Sequence, residues 1–152
     1  MPARKLSTRL IHKGALIDET YNAFREWDLS KPIRDNLRMI REGNLIGARS
    51  DGWLREVLAT ISSRFGHDEN LESLVMLARG SIGLTIWKAC YLWHIGNLDE
   101  FYYRFATEWL FQRYGKGVSV IQNSDPLSFV KRITGGKTTA GAPLSESGAR
   151  TI

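Results

Sequence analysis

Lys31, Arg34, Arg38 and Arg41 recur at intervals of three, four and three residues. On a helix of ~3.6 residues per turn, that spacing gathers all four cations within an arc of about 80°. The chemistry open to such a row is anion binding, above all contact with the phosphates of a nucleic acid. Stability alone does not select the row. Arg34–Arg38 and Arg38–Arg41 are like-charge neighbours, each costing roughly a few tenths of a kcal/mol. Lys31 and Arg34 also stand near the positive end of the helix dipole. Asp35 and Glu42 fall in the same stretch, so a plain solvated face is the competing reading. Arg49, Arg55 and Arg64 follow and are predicted to extend the basic surface.

Other residues with chemical potential fare less well. Cys90 and His94 are four apart, which puts two metal ligands on one helix face, but no further ligand lies nearby. A small buried cysteine and a hydrogen-bonded histidine explain the pair. His12 and His67 have no nucleophile context, and the near-adjacent carboxylates Asp18, Glu19, Glu26 and Asp28 diverge on a helix. Gly135-Gly136-Lys137-Thr138 resembles the end of a phosphate-binding loop. The full pattern needs a glycine where Lys131 stands, and a strand in place of the helical stretch before it. A linker is the expected reading, with no catalytic residues, no cofactor and no metal. Phe101, Tyr102, Phe105 and Trp109 could stack bases if exposed, yet their spacing reads as core. One or two of Tyr102, Tyr103 and Tyr114 are left as candidates to line a groove.

These residues must be held by a fold, and the composition limits it. The chain has 152 residues, 43% of them hydrophobic and 11% aromatic, enough to fill the core of one domain and too many for a disordered chain. Lys and Arg outnumber Asp and Glu by 21 to 16. The excess lies at the ends: residues 1–50 hold ten basic against six acidic side chains, residues 51–100 four against seven, and residues 101–152 seven against three. One cysteine excludes an internal disulfide. No signal-peptide pattern is visible, and the most apolar stretch, Ile82–Leu98, is interrupted by Lys88. No membrane contact is expected, and a cytoplasmic location is.

Apolar periodicity predicts an all-α fold, a compact bundle of about six to seven helices. Ile17, Tyr21 and Phe24 mark the first helix, and Pro32 opens a second with Ile33, Leu37 and Ile40 inward. Ser50 or Asp51 caps a third, with Leu54, Val57, Leu58, Ile61 and Phe65 facing the core. Asp68 caps a fourth. Ile82–Ile95 is apolar on nearly every side, so it is predicted to be the central, most buried helix, with Ile86→Ala costing about 2–5 kcal/mol. Asn97 and Glu100 suggest the cap of the next helix, Val118–Ile121 is extended, and Asp125-Pro126 opens the last helix. The organisation read from these signals is a basic tail over 1–14, a helical bundle over 15–133, and a linker with the start of a truncated segment over 134–152, where Ser145 looks like an N-cap.

From Leu16 to Tyr114 the chain resembles the BrxA proteins of bacteriophage-exclusion (BREX) defence systems. The resemblance is carried by Glu19, Asn44-Leu45, Arg49-Ser50, Arg64-Phe65 and Leu77-Ala78, followed by the aromatic helix. It implies an all-helical, NusB-like domain and DNA binding beside other BREX proteins. It also implies a C-terminal winged-helix-like segment, which would begin where Ser145–Ile152 stands. A membrane assignment sometimes given to the family conflicts with the hydropathy. The expected function is a non-enzymatic accessory component that binds DNA, or RNA, through Lys31, Arg34, Arg38 and Arg41, helped by the tail from Arg4 to Lys13. The alternative is a protein–protein adaptor within the defence complex.

Overall fold

Each cap and apolar stripe read above can be compared with a computed structural model of the chain, which describes residues 6–7, 9–66 and 71–137. In chain order the helices are α1 (Arg9–Lys13), α2 (Ile17–Arg25), α3 (Ile33–Gly43), α4 (Asp51–Phe65) and α5 (Leu71–Arg79). They continue with α6 (Gly83–Leu98), α7 (Glu100–Arg104), a π-helical turn (Phe105–Leu110), α8 (Phe111–Gly115) and α9 (Leu127–Thr134). The fold is all-α, with no strand among the described residues. The expected caps at Asp68 and Ser145, His67, and the side chain of His12 lie outside the described residues.

Two compact units make up the chain, Leu16–Tyr91 and Met1–Ala15 with Leu92–Ile152. In the Leu16–Tyr91 unit, Ser50 Oγ accepts from Trp53 N at 3.2 Å and starts α4. Leu54, Val57, Leu58, Ile61 and Phe65 are all buried, as their spacing requires. Gly66 caps the helix, its N–H on Ser62 O, at a place where a Cβ would lie 2.5 Å from that oxygen. The core is aromatic: Phe24 meets Phe65 edge-on at 5.2 Å, and Trp87 stacks on Tyr91 at 4.8 Å. Buried polar atoms are satisfied, with Trp87 Nε1 donating to Leu74 O at 3.0 Å and Arg64 Nη1 donating to Tyr91 Oη at 3.1 Å.

The expectation for Ile82–Ile95 is corrected. Trp87, Tyr91, His94 and Ile95 are buried, but Ile86 is 57% exposed and Trp93 70%. α6 is therefore one-sided, and Ile86→Ala removes little packing. Its apolar residues are spread evenly around the helix, so their pattern names no inward face.

In the other unit, α1 falls within the stretch read as a tail, yet its Ile11 is fully buried with Phe101, Trp109, Phe129 and Val130. The cap of α7 is Asp99, whose carboxylate accepts from Tyr102 N at 2.9 Å, and not Asn97. Beyond it, Phe111 N donates to Ala106 O five residues back, the bond of a π turn. Trp109 stacks on Phe105, four residues before it, at 5.2 Å, while Glu108 takes Arg104 at 2.7 Å and Arg132 at 3.7 Å. The single face expected for Phe101, Phe105 and Trp109 is thus formed. Val118–Ile121 makes no strand.

Candidate nucleic-acid interface

The turn before α3 sets the position of the basic row. Asn36, fully buried, accepts from Asp28 N at 2.7 Å and donates through Nδ2 to Asp28 O at 2.9 Å, Lys31 O at 3.2 Å and Pro32 O at 3.3 Å. One side chain thereby ties residues 28–32 to the first turn of the helix. The Asp28 carboxylate accepts from Ser30 Oγ at 2.6 Å and Ser30 N at 3.0 Å, and Lys31 Nζ lies 3.2 Å away. Those hydrogen bonds from Ser30, then the Lys31 ammonium, hold its carboxyl down at about 2. A depressed carboxyl stabilises the fold above its unfolded value near 4, and that contribution is lost as pH falls from about 4 towards 2. Asp28→Asn is therefore expected to flatten the acid-unfolding profile over that window, measured by circular dichroism. A profile parallel to the parent's would remove Asp28 from the turn's electrostatics.

Downstream, Ile40 is buried and Arg34, Arg38 and Arg41 are exposed, Arg34 to 91% of its side chain. Arg38 Nη2 donates to Asp35 Oδ1 at 3.0 Å, while Arg34 Nε stands 4.0 Å from the same oxygen. On α4, Arg55 Nε lies 3.3 Å from Asp51 Oδ2. Exposed pairs of this kind are worth about 0–1 kcal/mol, so an incoming phosphate can compete for the arginines. Arg41 has no acidic partner among the described residues. Leu37, Leu58, Ala59 and Ser62 line a groove of about 280 Å³ together with Arg38, Arg41 and Arg55.

Of the seven basic residues singled out in the sequence, the structure brings Arg38, Arg41 and Arg55 to one groove. Arg34 continues the α3 row, Lys31 is engaged by Asp28 at its start, and Arg49 is exposed in the connection before α4. Arg64 is elsewhere, turned to the Tyr91 hydroxyl. Sequence reasoning missed Asn36, which looks like one more polar residue until its neighbours are known. The Asp51–Arg55 pair was visible in its four-residue spacing.

Gly135 and Gly136 have positive φ and follow a helix, so the described part of the loop-like motif lacks the strand that a phosphate loop needs. Among the described residues no three His, Cys, Asp or Glu side chains are grouped to hold a metal. No described helix is long and apolar enough to cross a membrane. The BrxA family model matches residues 4–139, most of the chain. No curated protein and no solved structure matches it, so a NusB-like arrangement rests on the resemblance alone.

Proposed function

The chain belongs to the BrxA family, a component of BREX phage-defence systems, and from that premise we propose that it is a non-enzymatic DNA-binding accessory protein of the cytoplasm. The observation that carries this reading is the meeting of Arg38, Arg41 and Arg55 from two helices on one groove, with Arg41 unpaired among the described residues. Cations that repel one another in the free protein become favourable once phosphates lie against them. From Lys31 to Arg41 the rise is ~15 Å, about four phosphate steps of duplex DNA at ~3.4 Å each. The contacts fall on the backbone, so the protein holds different sequences almost equally.

Each phosphate contact changes affinity as roughly the 0.9 power of salt concentration, which is about eightfold per contact near 0.1 M. Arg41→Ala is accordingly expected to weaken duplex binding about eightfold there, read by fluorescence anisotropy, with the fold unchanged. Undiminished affinity would take Arg41 out of the interface. A second reading, an adaptor docking to another BREX protein, draws on Met76 and Ile86, which the Leu16–Tyr91 unit leaves exposed. It expects no duplex binding even at low salt.

A further inference from the structure

The basic excess of this chain does not reside with α3. Leu16–Tyr91 carries ten Lys and Arg against eleven Asp and Glu, whereas residues 1–15 and 92–152 carry eleven against five. That cationic unit also exposes aromatic rings. Phe111 and Tyr114 are 70% and 78% exposed, three residues apart on α8, where such neighbours share a face. Neither makes a ring contact among the described residues. They line an open groove of about 580 Å³ with Ala106, Leu110, Val118 and Ile121, and no charged side chain lines it. Ser119, Val120 and Ile121 follow as exposed chain outside any helix, and none of their N–H groups has a partner among the described residues. Lys116, also exposed, stands in the sequence between Tyr114 and Val118.

We propose that this groove is a second nucleic-acid site, one that stacks the unpaired bases of a single strand on Phe111 and Tyr114. An apolar groove alone would suit many occupants, but its placement in the cationic unit calls for an anionic one. A single strand supplies both parts, π faces for the rings and phosphates for the cations that the same unit carries, Lys116 among them. A duplex does not, because its bases are already stacked on one another inside the helix. The open N–H groups of residues 119–121 offer donors to base edges or phosphate oxygens. The site is independent of the α3 row, and each can fail without the other.

The test uses the full chain with a labelled oligothymidylate of about 15 nucleotides, an abasic strand of the same length and charge, and a duplex. The oligothymidylate is expected to bind at least about tenfold more tightly than the abasic strand, and to keep that advantage when salt rises, since stacking releases no counterions. Phe111→Ala and Tyr114→Ala are each expected to lower its affinity about 5- to 150-fold and to leave abasic and duplex binding unchanged. Phe111→Tyr and Tyr114→Phe retain a ring and should bind like the parent, and Arg41→Ala, which removes a phosphate contact open to either strand, should leave the ratio of oligothymidylate to abasic affinity unchanged. Crosslinking of a bromouracil-substituted strand to Phe111 or Tyr114 in the unaltered protein gives a readout that no variant's folding can confuse. Equal affinity for thymidylate and abasic strands, no binding of either, undiminished binding by both alanine variants, or crosslinks confined to other residues would overturn the proposal.

Discussion

Trp87→Ala is expected to cost about 3–5 kcal/mol of folding stability, the usual range for deleting a buried indole. Trp87 is fully buried, stacked on Tyr91 at 4.8 Å and met edge-on by Tyr21 at 5.1 Å and Phe24 at 6.2 Å. The substitution removes these contacts, leaves a cavity among residues from α2 and α6, and takes from Leu74 O the hydrogen bond of Nε1–H. Total stability of a protein this size is typically about 5–15 kcal/mol, so the variant stands close to unfolding. Ile86→Ala, one residue earlier, is the control. With Ile86 57% exposed, its loss is expected to be below about 1 kcal/mol. Urea denaturation of the two variants should give well-separated midpoints. Equal losses, or a larger one for Ile86, would mean that α6 is turned the other way.

Asn36→Ala comes next in size, at about 2–3 kcal/mol, although it removes no apolar packing. The amide oxygen takes Asp28 N–H, and the amide nitrogen serves the carbonyls of Asp28, Lys31 and Pro32. Alanine leaves Asp28 N–H and Lys31 O beside a buried position without the amide that pairs them, while Asp28 O keeps its bond from Lys31 N and Pro32 O its bonds from Asp35 N and residue 36 N. Asn36→Asp should be at least as damaging, because it keeps the acceptor but turns the donor into a second acceptor facing carbonyl oxygens. Both are read from denaturation midpoints. A loss below about 0.5 kcal/mol in both would show that water replaces the amide and that the turn does not depend on it.

Much of the fold was legible because local rules and tertiary packing agree. Ser50 followed by Leu54, Val57, Leu58, Ile61 and Phe65 combines a cap with a one-sided apolar stripe, and α4 forms there. Pro32 ahead of Ile33 and Ile40 gives α3 in the same way. α6 was misread because an evenly apolar helix carries no directional information, and only its neighbours decide that Trp87 goes in and Ile86 out. The π turn at Phe105–Leu110 has no local signature, although the shared face of Phe105 and Trp109 within it follows from their four-residue spacing. At the candidate interface, the stripe from Arg34 to Arg41 follows from helical geometry. Whether Arg55 joins it and Arg64 leaves it depends on where α4 faces, which the wheel of α3 cannot say.

The central claim is that the four cations of the α3 row, Lys31, Arg34, Arg38 and Arg41, the last two on the groove shared with Arg55, hold one duplex phosphate each. The most direct measurement is duplex affinity across a range of salt concentrations, for the parent and for a variant carrying both Arg38→Ala and Arg41→Ala. Four contacts predict a log–log slope near −3.6, roughly a 150-fold loss between 50 and 200 mM salt. Removing two should bring the slope to about −1.8, by the same amount for unrelated sequences. A variant whose slope and affinity match the parent's would contradict the account and put any nucleic-acid binding elsewhere on the chain.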